Sequence, residues 1–493
     1  MKKKLSRTLD GIPSFFILKL LNSLLQPLTT IFNLSLNSHE VPVQWKSALV
    51  IPIYKKGDRR NAGNYRPVSL TSSFSRLFEK VLLKKMLEYV QTNNLLSPQQ
   101  FGFLPHRSSC EQLLTCVYNW LRSFCQNESS KVLYTDITKA FDSISHKMII
   151  QSLWKYGFSE QVVLWLKEFL NGRQQQVCIG NSYSSPLSVL SGVPQGSVIG
   201  PFTFIVAVDA ITKCISSNHV SLYMFADDTK LSSTMLSDLQ ATTNSVSAWF
   251  KSHNLTLAQH KCLLLKIKKN SVDDNSQIFI DNYPVTEKNS IKDLGILVSS
   301  NMKWKDHIDY ISHTATVKSF LILKSMRTKN IWTYINIFTT YIRPLLEFNS
   351  PVWSPHLKCQ INMIEKIQRN YTKRAFERCR IPFKDYQDRL KKINMLSLTD
   401  RRKFLDLIFL YKLINGFYAT KLETFFHFKS TPYSLRSHKL QLSVNQSFTL
   451  SQWTGSFFNR VPQLWNELPE NIVCCDSIAQ FKTLLKLHFL HSA

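Results

Sequence analysis

The sequence predicts an α+β fold, on three observations. Runs rich in β-branched and aromatic residues are interspersed with runs of helical period, without a regular βαβ repeat. Beyond about residue 300 the pattern turns helical and more basic. Hydrophobic residues make up 44% and aromatics 12% of the 493 residues, enough to bury a sizeable core in several domains. That composition excludes a disordered or low-complexity chain, and only 13 glycines exclude a collagen-like one.

The elements follow in order. Met1 to Arg7 is a basic tip (Lys2, Lys3, Lys4, Arg7), read as a solvated terminus or as a phosphate-binding or nuclear-entry segment. Apolar Ile12–Leu25 begins a helix. The uncharged stretch Leu20–His39 carries Pro27 and three Asn, too polar to span a bilayer, so it reads as a buried or amphipathic helix. Trp45–Tyr54 reads as a strand, ended by the turn Lys55-Lys56-Gly57-Asp58. Leu70–Met86 has helical period, with Leu77, Val81, Leu82 and Met86 on one face. Lys131–Ile137 is a strand, followed by a helix from about Ser143 to Tyr156. A helix over Glu160–Leu170 is bracketed by Ser159 and by Asn171-Gly172. Gln174–Val189 reads as a hairpin turning at Gly180-Asn181, and Pro201 opens a helix running to about Ile215. Ser221–Phe225 and Thr229–Ser232 are short strands joined at Ala226-Asp227-Asp228.

Charge narrows the partner. Against 33 Asp+Glu stand 61 Lys+Arg, a net +28, which implies a polyanion, nucleic acid before membrane. Between Lys366 and Lys403 there are 13 basic and 4 acidic residues. In the helix-like stretch Ile364–Phe376, Lys366, Arg369, Lys373 and Arg374 recur at three- and four-residue spacing, a stripe that suits a phosphate backbone. Ten cysteines show neither C-x-x-C nor zinc-finger spacing, and no secretory signal is evident. An intracellular setting, nucleus and cytoplasm, is expected.

The chemistry centres on two acidic sites, each at a strand end. Asp136 follows Val132-Leu133-Tyr134-Thr135, and Asp227-Asp228 follow Met224-Phe225-Ala226 at the tip of a hairpin, where a turn lets adjacent carboxylates converge. Acidic side chains beside apolar strands are costly unless a cation neutralises them, and hard oxygen ligands suit Mg²⁺. Two such ions about 3.5–4 Å apart stabilise the attacking and leaving oxygens of an in-line phosphoryl transfer.

Phe225-Ala226-Asp227-Asp228 resembles the F/Y-x-D-D motif of reverse transcriptases, with flanks similar to those of non-long-terminal-repeat (LINE-type, jockey-like) retrotransposons. Other blocks follow in the family's order. Ile51-Pro52-Ile53-Tyr54-Lys55-Lys56-Gly57-Asp58 and Asn64-Tyr65-Arg66-Pro67-Val68-Ser69-Leu70 resemble its fingers block. Gln100-Phe101-Gly102-Phe103 with His106-Arg107-Ser108 resembles its template-contacting block, and Asp136 to Asp142 its first catalytic block. Ser191-Gly192-Val193-Pro194-Gln195-Gly196-Ser197 is similar to the nucleotide-site block. Asn254-Leu255-Thr256-Leu257 with Lys261 and Asp293-Leu294-Gly295-Ile296 match the next block and the primer grip. Ala258 and Cys262 depart from the Asn and Thr/Ser usual there. Trp353 and the segment Phe458–Asn466 resemble the tail of this class.

The resemblance implies a right-hand polymerase: an N-terminal segment over 1–40, fingers and palm over 41–299, a helical thumb over 300–375 and a basic C-terminal region over 376–493. It implies RNA-directed DNA synthesis, with an RNA template, a DNA primer, dNTPs and two Mg²⁺ (Mn²⁺ as the alternative). Asp136, Asp227 and Asp228 are the implied metal ligands and Lys261 the proton donor to pyrophosphate. Phe141 is the implied gate at the sugar 2′ position. Gln195 and Gly196 would line the nucleotide, with Lys55 and Arg66 on its phosphates. Gln100, Gly102, Arg107, Leu294 and Gly295 are implied nucleic-acid contacts, with the stripe Lys366, Arg369, Lys373 and Arg374. Only about 40 residues precede Trp45, so a truncated element copy is expected. The alternative is a catalytically decayed, nucleic-acid-binding remnant. No membrane association is expected.

Overall fold

The structure, a computed structural model, describes residues 10–215, 217–269, 277–429, 438–444 and 447–491; the basic tip Met1–Arg7 lies outside them. Strands and helices are mixed throughout residues 47–299 and helices dominate from 305 onward, so the expected α+β class is observed. The chain gathers into two units that interleave in sequence. One comprises residues 1–105, 133–262 and 276–286, the other 106–132, 263–275 and 287–493.

In the first unit, β1 (Ser47–Tyr54) pairs antiparallel with β2 (Tyr65–Leu70), from Leu49↔Leu70 to Tyr54↔Tyr65. The loop between them is held by its own polar groups: Asn64 donates to the Asp58 carbonyl (2.8 Å), and the Asn61 carboxamide accepts from the Gly63 N–H. The ladder therefore continues β1 to Tyr54, as expected, but Trp45 sits before it in a single helical turn, Val43–Lys46. β3 (Ser130–Thr135) ends just before Asp136. β4 (Gln174–Ile179) runs parallel to β1 and turns at Gly180-Asn181 to pair with Ser182-Tyr183. β5 (Ser221–Phe225) and β6 (Asp228–Ser233) form the expected hairpin, and β6 lies next to β3.

Helices cover these sheets. α1 (Leu21–Ser38) is not a buried helix: Leu28 and Ser35 are its buried residues, whereas Leu25 and Leu34 are more than 60% exposed. α2 (Ser73–Thr92) begins later than expected because β2 consumes the residues to Leu70, and Ser72 caps it. Its buried face runs through Phe78, Glu79, Leu82, Met86 and Val90, so Val81 points to solvent. The helix expected from Ser143 is split. A turn over Ala140–Ser143 ends at extended Ile144, and α3 (His146–Lys155) starts from Ser145, whose side chain accepts from Met148 N–H. α4 (Glu160–Leu170) matches its expected span, although Ser159 makes no side-chain cap bond. α5 (Gly200–Val208) is buried nearly all round and passes at Asp209 into a tighter 3₁₀ stretch to Cys214. α6 (Leu236–Ser252) follows the hairpin.

An aromatic chain forms one part of the core. Phe32 stacks on Phe78 (4.8 Å between centroids), Phe78 meets Trp165 edge-on (4.9 Å) and Trp165 stacks on Phe169 (5.2 Å). Such pairs add to the burial of large apolar area. The second unit holds the hairpin β7 (Ser290–Asp293) and β8 (Ile296–Ser299) and the helices α7 (Lys305–Ser325), α8 (Lys358–Cys379) and α9 (Leu398–Ile414). A helix over Ser109–Cys125 joins them, opened by a reciprocal capping box between Ser108 and Glu111. Buried Asp406 pairs there with Arg460 at 2.9 Å.

Glu79 anchors α5. Fully buried, it accepts the N–H groups of Val198 (2.6 Å) and Ile199 (3.2 Å), which precede the helix, and the Ser75 hydroxyl (3.0 Å). Burial pushes its carboxyl above the ordinary range, and those donors with Arg173 pull it back. Glu79→Ala orphans two backbone donors and is expected to destabilise the first unit by about 2–4 kcal/mol, read as a lower urea midpoint.

Candidate active site

The site is assembled by backbone pairing. Asp136 leaves β3 at its carboxyl end, and the segment 256–261 runs beside it. Thr138 donates to the Thr256 carbonyl (2.9 Å), and Ala258 donates to the Asp136 carbonyl (2.8 Å). Ala258 and Cys262, the two departures from the family pattern, are both buried, and the Cys262 N–H donates to the Ala258 carbonyl. This tight turn places Lys261, whose Nζ lies 3.3 Å from Asp136 Oδ2.

The second acidic element differs from expectation in one respect. Phe225 pairs with Asp228, so Asp228 is the first residue of β6 and the tip is only Ala226-Asp227. The two carboxylates therefore do not share a loop. Ala226 takes φ +60°, the positive value a two-residue hairpin demands at its first position and one that a side chain disfavours.

Asp136, Asp227, Asp228 and Lys261 line one cleft of about 1260 Å³ in the first unit. The β1–β2 hairpin supplies Lys55 and Arg66 to the same cleft, together with Arg59 and Arg60. Those two arginines were missed in the sequence reading, although they continue the charge run after Lys55-Lys56-Gly57-Asp58. Arg59 is steadied over the Tyr54 ring at 5.0 Å. Lys139, also missed, lines the cleft from the residue before the 140–143 turn, at φ +48°.

Burial, followed by the negative charge of Asp136, raises the Asp227 carboxyl above the ordinary range, against the pull of its own backbone hydrogen bond and of Lys55 and Arg66. Two carboxylates held together at a partly dry site are the arrangement a cation relieves. Among the described residues no three His, Cys, Asp or Glu side chains are gathered closely enough to hold a metal between them. The aspartates share the cleft without closing a cage.

The nucleotide-site residues are fixed from behind. The Phe141 ring stacks on Phe204 (4.4 Å) and meets Phe103 edge-on (6.3 Å). The Gln195 carboxamide donates to the Asp142 carboxylate (2.9 Å), and the Gln195 backbone carbonyl accepts from the Ser69 N–H (2.8 Å). Asp142 thus braces Gln195 instead of capping a helix. Gly196 runs so close to the Ser69 carbonyl that any Cβ there would collide with it.

Other expected contacts lie elsewhere. Gln100 is fully buried and Gly102 buried, so neither can touch nucleic acid through a side chain; both pack against the backbone of the aspartate hairpin. Arg107, Leu294, Gly295 and the basic stripe belong to the second unit. Arg107 is half-buried, and its charge is felt by Glu111. Leu294-Gly295 is the two-residue tip of β7–β8, with φ of +44° and +91°. Lys366, Arg369, Lys373 and Arg374 form one exposed face of α8, opposite buried Ile364, Ile367, Tyr371 and Ala375.

The raised carboxyl of Asp227 has a stability consequence. The native state holds that proton more tightly than the unfolded chain. Stability therefore falls as pH rises from about 4 through the raised native value, and the full cost persists above it. Asp227→Asn is expected to melt about 1–3 °C above the wild type at pH 7 in EDTA, the gap closing as pH falls towards about 4.

Residues 53–314, more than half of the chain, match the family described as reverse transcriptase (RNA-dependent DNA polymerase). The chain is 26% identical over 366 residues to the probable RNA-directed DNA polymerase from transposon X-element of Drosophila melanogaster, covering 69% of this chain and 39% of that protein. It is 27% identical over 359 residues to the RNA-directed DNA polymerase from mobile element jockey of the same fly, covering 70% and 39%. The chain thus spans about two fifths of the length of these curated relatives. A solved structure of apo telomerase from Candida Tropicalis aligns at 10% identity with a TM-score of 0.42, covering 77% of this chain and 67% of that one. The chain belongs to the reverse transcriptase (RNA-dependent DNA polymerase) family.

Proposed function

We propose that this chain carries out RNA-templated DNA synthesis, extending a DNA primer 3′-hydroxyl with dNTPs. The observation that carries the reading is the cleft of the first unit, where three aspartates and a set of cations suited to a triphosphate line one space. On this reading 41–299 supplies fingers and palm, 300–375 the thumb, and 376–493 a basic extension.

Asp136, Asp227 and Asp228 would hold the divalent ions, Mg²⁺ or alternatively Mn²⁺. The fit rests on the chemistry of the donor set, carboxylate oxygens lining one cleft, and on Asp227, whose carboxyl stays raised by burial and by Asp136 despite Lys55 and Arg66. A pair of such ions supplies charge neutralisation at the attacking and leaving oxygens. The remaining work belongs to side chains. Lys55, Arg59, Arg60 and Arg66 bind the triphosphate, the arginines through forks that match phosphate oxygens. Gln195, oriented by Asp142, lines the nucleotide, and Gly196 lets the backbone come close. Phe141, backed by Phe204, excludes a 2′-hydroxyl by occupying its space. Lys261 Nζ gives a proton to the departing pyrophosphate oxygen. The α8 stripe takes the phosphate backbone of the RNA or hybrid.

No described helix is long and apolar enough to cross a membrane. Activity on nucleic acid inside the cell, in nucleus and cytoplasm, accords with the net charge of +28.

Asp227→Asn is expected to lower primer extension on an RNA template by about 10³-fold or more, with RNA affinity nearly unchanged. Extension at the wild-type rate would refute the assignment. Wild-type protein that binds RNA but incorporates no dNTP would favour the decayed remnant. Replacing Lys366 and Arg374 with Gln is expected to reduce the slope of log affinity against log salt by about 1.5–2, in a fluorescence-anisotropy titration.

A further inference from the structure

Gln100 stands in a segment whose resemblance to the family's motif implies template contact, yet it is fully buried. Its neighbours extend the edge of the aspartate hairpin: Phe101 donates to the Met224 carbonyl (2.8 Å), and Met224 donates to the Gln99 carbonyl (2.9 Å). Between these bonds the Gln100 side chain reaches over the hairpin tip. Its Oε1 accepts the N–H of Ala226 at 3.0 Å and that of Gly102 at 2.8 Å.

Ala226 is the strained residue of the tip, at φ +60°, and Asp227 is its immediate successor. A backbone held in a disfavoured region persists only where its surroundings over-determine it. Gly102 seals the same spot, because a Cβ there would stand 2.5 Å from the Ala226 nitrogen. Gln100 Nε2 is buried without a hydrogen-bond partner among the described residues.

We infer that Gln100 is a positioning residue for the polymerase reaction: its Oε1, with Gly102 packed beneath, sets the Ala226-Asp227 turn and thereby the direction of the Asp227 carboxylate. Gln100 touches neither substrate nor ion and acts through Asp227. The inference rests on the proposed polymerase reading for its kinetic arm only.

The test uses the full chain with Gln100→Met, which keeps the volume and removes the acceptor, and separately Gly102→Ala, which pushes the tip from the other side. Three quantities are read: the pre-steady-state rate and amplitude of single-nucleotide incorporation, the melting midpoint, and Mn²⁺ affinity of the free protein by electron paramagnetic resonance. Misplacement of a catalytic group by an ångström costs about 100-fold in rate. Both variants are expected to lose about that much incorporation rate, to keep the amplitude, and to bind Mn²⁺ more weakly; a lower melting midpoint accompanies both, because Gln100→Met orphans two backbone donors and Gly102→Ala drives a Cβ against the Ala226 nitrogen. A loss confined to amplitude or midpoint, with rate and Mn²⁺ affinity intact, would show a purely structural residue and overturn the inference. If the wild-type chain incorporates nothing, the polymerase reading fails. The Mn²⁺ arm then decides by itself: weaker binding in both variants supports the clamp, and unchanged binding rejects it.

Discussion

Two carboxylates, Asp136 and Asp227, are kept close together where water is only partly available, and much of the first unit's local structure follows from that constraint. Like charges in such a place repel and lose hydration, which is why the Asp227 carboxyl is raised. The fold offsets this with cations on separate elements: Lys261 beside Asp136, and Lys55 and Arg66 from the β1–β2 hairpin. None of them neutralises the pair outright. Lys55 and Arg66 pull the Asp227 carboxyl back towards its ordinary range without reaching it, so a divalent ion between the carboxylates would still relieve the pair.

Rigidity around the cleft comes from backbone approaching backbone. The loop 191–197 is fastened to the first catalytic block through Val193 N–H to the Phe141 carbonyl and Gly192 N–H to the Ile144 carbonyl, both under 2.9 Å. A Cβ at Gly192 would meet the Phe141 carbonyl at 2.6 Å. Glycine is required here for closeness, and at Gly192 for its φ of +79° as well. With Gln195 tied to Asp142, the wall behind Phe141 is a single hydrogen-bonded piece, the rigidity that the proposed steric role of that ring requires.

What could be read from the chain, and what could not, divides along the range of the interaction responsible. α4 was legible to the residue because its apolar period is local, and the Gly180-Asn181 turn because those residues favour positive φ. The ordered motifs located the aspartates, Phe141, Gln195 and Lys261, all of which line the cleft or border it. The start of α2 was misjudged because β1 takes the residues to Leu70 as a pairing partner, with Leu49 opposite Leu70, a demand that no local pattern announces. Val81 was placed on the wrong face because the aromatic core around Phe78 and Trp165 selects the face. Arg59 and Arg60 were missed, since only the folded hairpin turns them to the cleft.

Composition, periodicity and motif order by themselves determined the α+β class and located the two acidic sites that the cleft brings together. These are properties of residue type and near spacing, so they survive without a fold. Only the tertiary structure decided that Asp228 belongs to a strand while Asp227 tips a strained turn. It alone showed that Lys261 reaches Asp136, and that Gln100 faces inward to the hairpin. The last two are contacts between segments more than a hundred residues apart, and hydrogen-bond geometry and excluded volume across such separations leave no mark in local sequence.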